Sequence, residues 1–193
     1  AVEGTRRADG VMNGCIGAKE VMEAVKAHPH YTSPRPGKYQ GRGVAMGFCR
    51  NNTGMASAVA NVLPNGAVSL VEGNPDIGGT RTSLSQQLAE VLGIPVQDVK
   101  PMVADTDTIG YTSLTAGSSV TFKSGWAVYE AGQDVIRQLV QRASTVWDVP
   151  KEEIEYVDGV LRHKLDPELT MTFKEMSALL LDTGGPVVGR ASL

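Results

Sequence analysis

Apolar residues recur along this chain with two different periods. Ala18, Val21, Met22 and Val25 fall at i, i+3, i+4 and i+7, the spacing that lines one face of a helix over residues 18–28. Pro29 ends that helix, because proline disfavours the helical conformation in the residue before it. His28 and His30 then lie at a helix exit, in solvent. Residues 29–43 are rich in proline and glycine and read as an exposed connector. Residues 43–49 turn β-like. Residues 55–63 and 67–71 read as two strands joined at Pro64-Asn65-Gly66, since Asn-Gly accepts the positive φ of a tight antiparallel hairpin.

The helical period returns in residues 81–92, where Leu84, Leu88, Val91 and Leu92 share a face. Gly93 suits the position just past the helix, and Pro95 prevents re-entry. A strand over residues 99–104 follows. The longest element predicted is a helix over residues 122–147, with Val128, Ala131, Val135, Leu139, Ala143 and Val146 in one stripe and Pro150 closing it. Residues 154–157 and 160–163 flank Asp158-Gly159 as a second hairpin. Thr172 and Glu175 match a capping box for a helix over residues 173–181. Paired strands mixed with single crossovers predict an α+β fold: two layers, a mixed β-sheet with helices packed mainly on one face. The expected organisation is an N-terminal arm over residues 1–40 and a main domain over residues 41–193.

Composition narrows the class of function. The 193 residues carry 18 Lys+Arg against 21 Asp+Glu, a formal charge of −3, so there is no basic field for nucleic acid. Aromatics make up 5%, too few for a base-stacking platform. No apolar run is long enough to span a membrane. Cys15 and Cys49 form no CxxC pair, and the three histidines have no metal-ligand spacing. Both cysteines are expected to be small buried hydrophobes in a reducing, cytoplasmic setting. The chain opens without methionine and closes at Arg190-Ala191-Ser192-Leu193 with no evident closing element, which reads as a piece of a longer polypeptide.

Three loops could carry chemistry. Gly73 to Thr82 lies between a strand and a helix, where glycines allow close backbone approach and helical N–H groups lack partners. Thr80 and Thr82 add hydroxyls and Arg81 a charge, which together suit a phosphate. The same residues also suit a plain tight turn with a threonine cap. Gly73-x4-Gly78-Gly79-Thr80 is close to a phosphate-binding P-loop, with Asp105 after an apolar strand as its partner, but Gly79 stands where the lysine belongs. Asp105 and Asp107 could approach a hard cation, or simply make an Asx-type turn. Thr115 to Thr121 repeats the pattern of glycine and hydroxyls before the long helix. Both glycine loops could converge on one polyanion.

The runs GNPDIGGTRTSLSQQLAEVLGIP from Gly73, VADTDTIGYTSLTAGSS from Val103 and FKSGWAVYEAG from Phe122 resemble the molybdenum hydroxylases, the xanthine dehydrogenase and aldehyde oxidase family. The likeness is to the large, molybdopterin-binding subunit and runs from about Gly41 to Gly189. It implies a role in hydroxylating aldehydes or N-heterocycles, with molybdenum on a pterin dithiolene, often extended as a cytosine dinucleotide. It implies cofactor contacts at Gly78, Gly79, Thr80 and Thr82, and at Gly117, Ser118 and Ser119. Its partners would be the remainder of the large subunit and iron–sulfur and FAD subunits or domains. Two departures stand out. The family's first loop carries a glutamine between its glycines, where this chain has Gly78-Gly79 and is one residue shorter. The family's glycine-flanked catalytic glutamate has no counterpart here, so no catalytic residue is assigned. By itself the chain is then expected to hold no cofactor. A scaffold domain that kept the fold and lost the chemistry is the alternative.

Overall fold

The computed structural model describes residues 2–8, 10–35, 37–47 and 52–193. They form two compact units, Ala1–Phe48 and Cys49–Leu193. In the first, helix α1 spans Ala18–Ala27 and a single turn, α2, spans Pro29–Thr32. The expected stripe of α1 is present but open: Val21, Met22 and Val25 are all exposed. His28 is extended between the helices, and its ring accepts from the His30 N–H at 3.1 Å, so Pro29 both stops one helix and starts the next turn. Cys15 is exposed, not the buried core residue expected of it. Residues 43–47 form no strand, contrary to their β-like composition, and the rest of that predicted strand, with Cys49, lies outside the described residues.

The second unit is built on a four-stranded sheet. β1 (Ser57–Val62) and β2 (Val68–Glu72) form the expected hairpin, closed by Gly66 at φ 86°. Helix α3 (Thr80–Leu92) crosses over to β3 (Val99–Val103), which lies parallel to β2. Pro101 is tolerated there because β3 is an edge strand and has one side free of the ladder. The long helix α4 runs Val120–Trp147 and ends on Asp148 in a left-handed conformation, two residues before the proline expected to stop it. β4 (Ile154–Val157), β5 (Val160–His163) and β6 (Thr170–Thr172) make a separate antiparallel sheet. The capping box forms at α5 (Phe173–Ala178), which is shorter than predicted. The last residues, which read as lacking a closing element, form β7 (Val188–Ser192) on the open edge of β1. The sheet order is β3-β2-β1-β7.

The architecture is α+β, with α3 and α4 on one face of the mixed sheet. Ala58, Ala60 and Val62 of β1 and Val68 and Leu70 of β2 meet Leu84, Leu88 and Leu92 of α3 and Val128, Val135 and Leu139 of α4, all buried. Small residues set the spacing. A Cβ at Gly189 in β7 would lie 2.1 Å from the Ala131 carbonyl oxygen, so α4 crosses that strand in backbone contact. A Cβ at Gly132 would lie 2.7 Å from the Val91 side chain, so α3 packs against α4 on the other side through side-chain contact. Val146 is exposed in the final turn of α4, beyond the end of the stripe. Both helices therefore begin at the same end of the sheet, immediately after the two glycine loops.

Candidate functional site

The buried face of β2 reads Val68, Leu70, Glu72, so an apolar row ends in a carboxylate that is fully buried. Its Oε2 accepts the Asn74 N–H at 2.6 Å, while Oε1 has no partner among the described residues. Burial holds the Glu72 carboxyl above its ordinary range, with the Asn74 hydrogen bonds opposing. The chain then turns through Pro75, Asp76 and Ile77 to Gly78 and Gly79, both left-handed at φ 63° and 81° and both with open space where a side chain would be. Glycine is required there because an L side chain is strained in that conformation.

The first turn of α3 is less open than its sequence implies. Asp76 Oδ1 accepts the Arg81 N–H at 3.0 Å and Oδ2 accepts from Arg81 Nε at 2.9 Å. These bonds hold the Asp76 carboxyl below its ordinary range. The loop thus supplies its own anion to the helix N-terminus and neutralises its own arginine. Thr80 Oγ accepts the Ile77 N–H at 3.2 Å, pinning the turn from inside. Thr82 is exposed in the same first turn.

The loop before α4 is built differently. Gly117 and Ser118 are both left-handed, at φ 61° and 53°. Serine pays a steric penalty in that conformation, so its surroundings must hold it there. Asn52 does so in part: its N–H donates to the Gly117 carbonyl at 2.8 Å, and its side chain covers the face where a Cβ would stand. Ser119 is buried, donates to the Ala116 carbonyl at 2.7 Å, and precedes α4. One turn on lies Lys123, only 2% exposed. Its Nζ donates to the Ser113 carbonyl at 2.6 Å, Ser113 Oγ at 2.9 Å and the Leu114 carbonyl at 2.8 Å. Among the described residues no carboxylate pairs with it, and burial pulls its amine below the ordinary lysine range.

Asn74 ties the two loops together. Its Oδ1 accepts from Thr115 Oγ at 3.1 Å, and its Nδ2 donates to Ser124 Oγ on α4. The result is one cleft of about 360 Å³ between the helix N-termini, with Ile77 and Thr80 on one wall and Thr115, Ala116, Ser118, Ser119, Val120 and Thr121 on the other. A second cleft of about 390 Å³ adjoins it, sharing Ala116 and Ser119 and extending to Asn52, Thr53, Gly54, Met55, Ser113 and Leu114. Neither wall contains a carboxylate. Of the residues singled out in the sequence, Thr80, Ser118 and Ser119 meet at the first cleft; Gly78, Gly79, Gly117 and Thr82 do not line it. Asp105 accepts the Asp107 N–H at 2.9 Å, which makes the second polar loop an Asx-type turn, and the described residues hold no cluster of three metal-ligating side chains.

This arrangement coincides with a known domain. Residues 18–192 match the family model of the molybdopterin cofactor-binding domain. The chain belongs to that family. It is 31% identical over 120 residues to a xanthine dehydrogenase of Emericella nidulans, covering 58% of this chain and 9% of that protein. It is 30% identical over 141 residues to the nicotine 6-hydroxylase large subunit of Paenarthrobacter nicotinovorans, covering 65% of this chain and 17% of the relative. Among solved structures it is similar to the carbon monoxide reduced state of Cu,Mo-CO dehydrogenase, with a TM-score of 0.64 and 27% identity over 70% of this chain and 18% of that one. The chain therefore spans less than a fifth of each of these proteins. It is a molybdopterin cofactor-binding domain of the xanthine dehydrogenase and aldehyde oxidase type.

Sequence reasoning missed Asn74, Ser113 and Lys123; Glu72, beside the first glycine loop, stood out only as an acid that could act as a base. Only Lys123 carried a readable signal: it stands four residues before Ala127, in the apolar register of α4, where a lysine is out of place. No helix among the described residues is long and apolar enough to cross a membrane.

Proposed function

We propose that this domain supplies part of the wall around a molybdopterin phosphate within a larger oxidoreductase that hydroxylates aldehydes or N-heterocycles. The observation that carries the reading is the first cleft, where Thr80 and Ser118–Thr121 surround a space with hydroxyls and backbone at the start of two helices and with no carboxylate. Such a wall suits an anionic phosphate. The described side chains include no metal-ligand set, so they fit the phosphate end of the cofactor and leave the metal to the pterin's own sulfurs. When bound, the cofactor supplies the redox chemistry; this chain's residues bind and orient it. The cytosine dinucleotide form would place further phosphate in reach of the same donors. The family likeness supports iron–sulfur and FAD partners, and the scarcity of cysteines supports a cytoplasmic setting.

The apolar groove between α3 and α4 supports membership of a larger subunit. Phe122, Trp126 and Tyr129 lie at i, i+4 and i+7 along it and are 59%, 53% and 47% exposed. The remainder of a large subunit is the occupant that fits, given how small a share of its relatives this chain covers.

A second reading, a scaffold domain of the same fold, is favoured by one observation: Asp76 already occupies the Arg81 N–H that a ligand would use. The test is the pterin and molybdenum content of the full-length protein, measured by pterin fluorescence and elemental analysis. Stoichiometric cofactor that is lost in Thr80→Val/Ser118→Ala supports the proposal; full retention in that variant overturns the first cleft's part in it, and a full-length protein without cofactor supports the scaffold. The 193-residue chain by itself should carry no molybdenum and turn over no aldehyde or purine. Stoichiometric metal, or turnover, would overturn its reading as a partial site.

A further inference from the structure

The second cleft is shaped by a group that the cofactor reading does not use. Lys123 is buried, and its three hydrogens go to two carbonyls and one hydroxyl, all neutral. An ammonium nitrogen has no lone pair, so Ser113 Oγ can only accept from it. The Ser113 hydroxyl proton is thereby left for another acceptor, and Ser113 lines the cleft. The position of Ser113 is fixed from behind by its own N–H, which donates to the Met55 carbonyl at 2.9 Å. Opposite it stands Gly54, where a Cβ would lie 2.3 Å from Ser113 Oγ, so only glycine leaves the hydroxyl uncovered. The remaining walls bring the uncharged, hydrogen-bonding Asn52, Thr53 and Ser119 and the apolar Met55, Leu114 and Ala116.

We propose that Lys123 and Ser113 form a relay that makes this second cleft a binding site for a phosphate-type oxyanion. Lys123 turns the Ser113 hydroxyl outward as a donor, and its buried positive charge, uncompensated among the described residues, is balanced when an anion arrives. The anion touches Ser113; Lys123 acts through it and is a positioning residue. A carboxylate of the protein would serve the charge equally well, but no wall of the cleft provides one. The site itself does not depend on the cofactor reading, which bears only on where the phosphate comes from: free in solution or carried by the cofactor.

The test is titration of the 193-residue chain with inorganic phosphate and with pyrophosphate by calorimetry, alongside Ser113→Ala and Lys123→Met. A hydrogen bond to a charged group is strong enough that Ser113→Ala should weaken binding about tenfold or more while leaving the fold intact by circular dichroism. Lys123→Met should weaken it at least as much. Should Lys123→Met fail to fold, Ser113→Ala decides, because it removes a single oxygen. Absence of binding to the native chain, or unchanged affinity in Ser113→Ala, overturns the relay. In the full-length protein, loss of pterin in Ser113→Ala identifies the cofactor as the source of the phosphate; unchanged pterin beside lost phosphate affinity identifies free phosphate. Either result is separable from the Thr80→Val/Ser118→Ala test of the first cleft.

Discussion

The loops before α3 and α4 look alike in sequence, each with glycine followed by hydroxyl side chains, yet they solve the same problem in opposite ways. The α3 loop brings its own carboxylate, Asp76, to the helix N-terminus and pairs it with its own arginine. The α4 loop brings no acid. It holds Ser118 in a left-handed turn and sets a buried ammonium one turn below. The first pairs its own arginine and aspartate, whereas the second carries a charge that nothing among the described residues balances. A glycine–hydroxyl loop at a helix start therefore says little about ligand binding until the nearest charged side chains are counted.

Because α4 packs on both α3 and the sheet, loss of its core should disturb both loops together. Leu139 is fully buried, and Leu139→Ala should cost about 2–5 kcal/mol in denaturant melts. A value below about 0.5 kcal/mol would mean the two loops stand on separate supports. Asn74 is the direct link between the loops. Asn74→Ala strips Thr115 and Ser124 of their partner and should cost about 1–3 kcal/mol. Hydrogen exchange should then rise in both loops; a rise confined to residues 73–80 would show that the α4 loop holds its shape unaided.

Much of the scaffold could be read from the sequence because it obeys local rules. The stripe of α4, the Asn65-Gly66 hairpin and the Thr172–Glu175 capping box each need only neighbouring residues to be recognised. β7 could not be read that way: Val188–Ser192 is a strand because β1 offers it an edge more than a hundred residues away. The site divides along the same line. Thr80, Ser118 and Ser119 stand at helix starts and were legible as such. Asn74 and Lys123 act across the chain, on Thr115 and Ser124 in one case and on Ser113 and Leu114 in the other, and no local pattern announces such bonds.

The pH response offers a finer comparison within the α3 loop itself. Burial raises Glu72 above its ordinary value of 4.5, so its contribution to stability is complete below that pH and fades as pH rises through the raised folded value. Glu72→Gln should remove that decline, seen as a flatter curve of melting temperature against pH on the alkaline side of 4.5. An unchanged slope would show that Glu72 is neutralised by something other than a proton.

The smallest effect is expected at Asp76, and its direction is the most informative. Hydrogen bonds to Arg81 lower the Asp76 carboxyl below its ordinary 3.8, so its contribution is present above that pH and is lost as pH falls through the lowered value. Asp76→Asn should therefore lower the melting temperature slightly at neutral pH and change nothing in strong acid, where the native carboxyl is already protonated. It should also free Arg81 and open the start of α3 to an outside anion. If the contrast between the loops is correct, Asp76→Asn gains weak sulfate or phosphate binding at α3, and that gain persists when Ser113→Ala is added. A variant that loses stability without gaining any anion would show that the α3 loop is a capped turn and nothing more. The ligand-facing chemistry of this domain would then lie with α4.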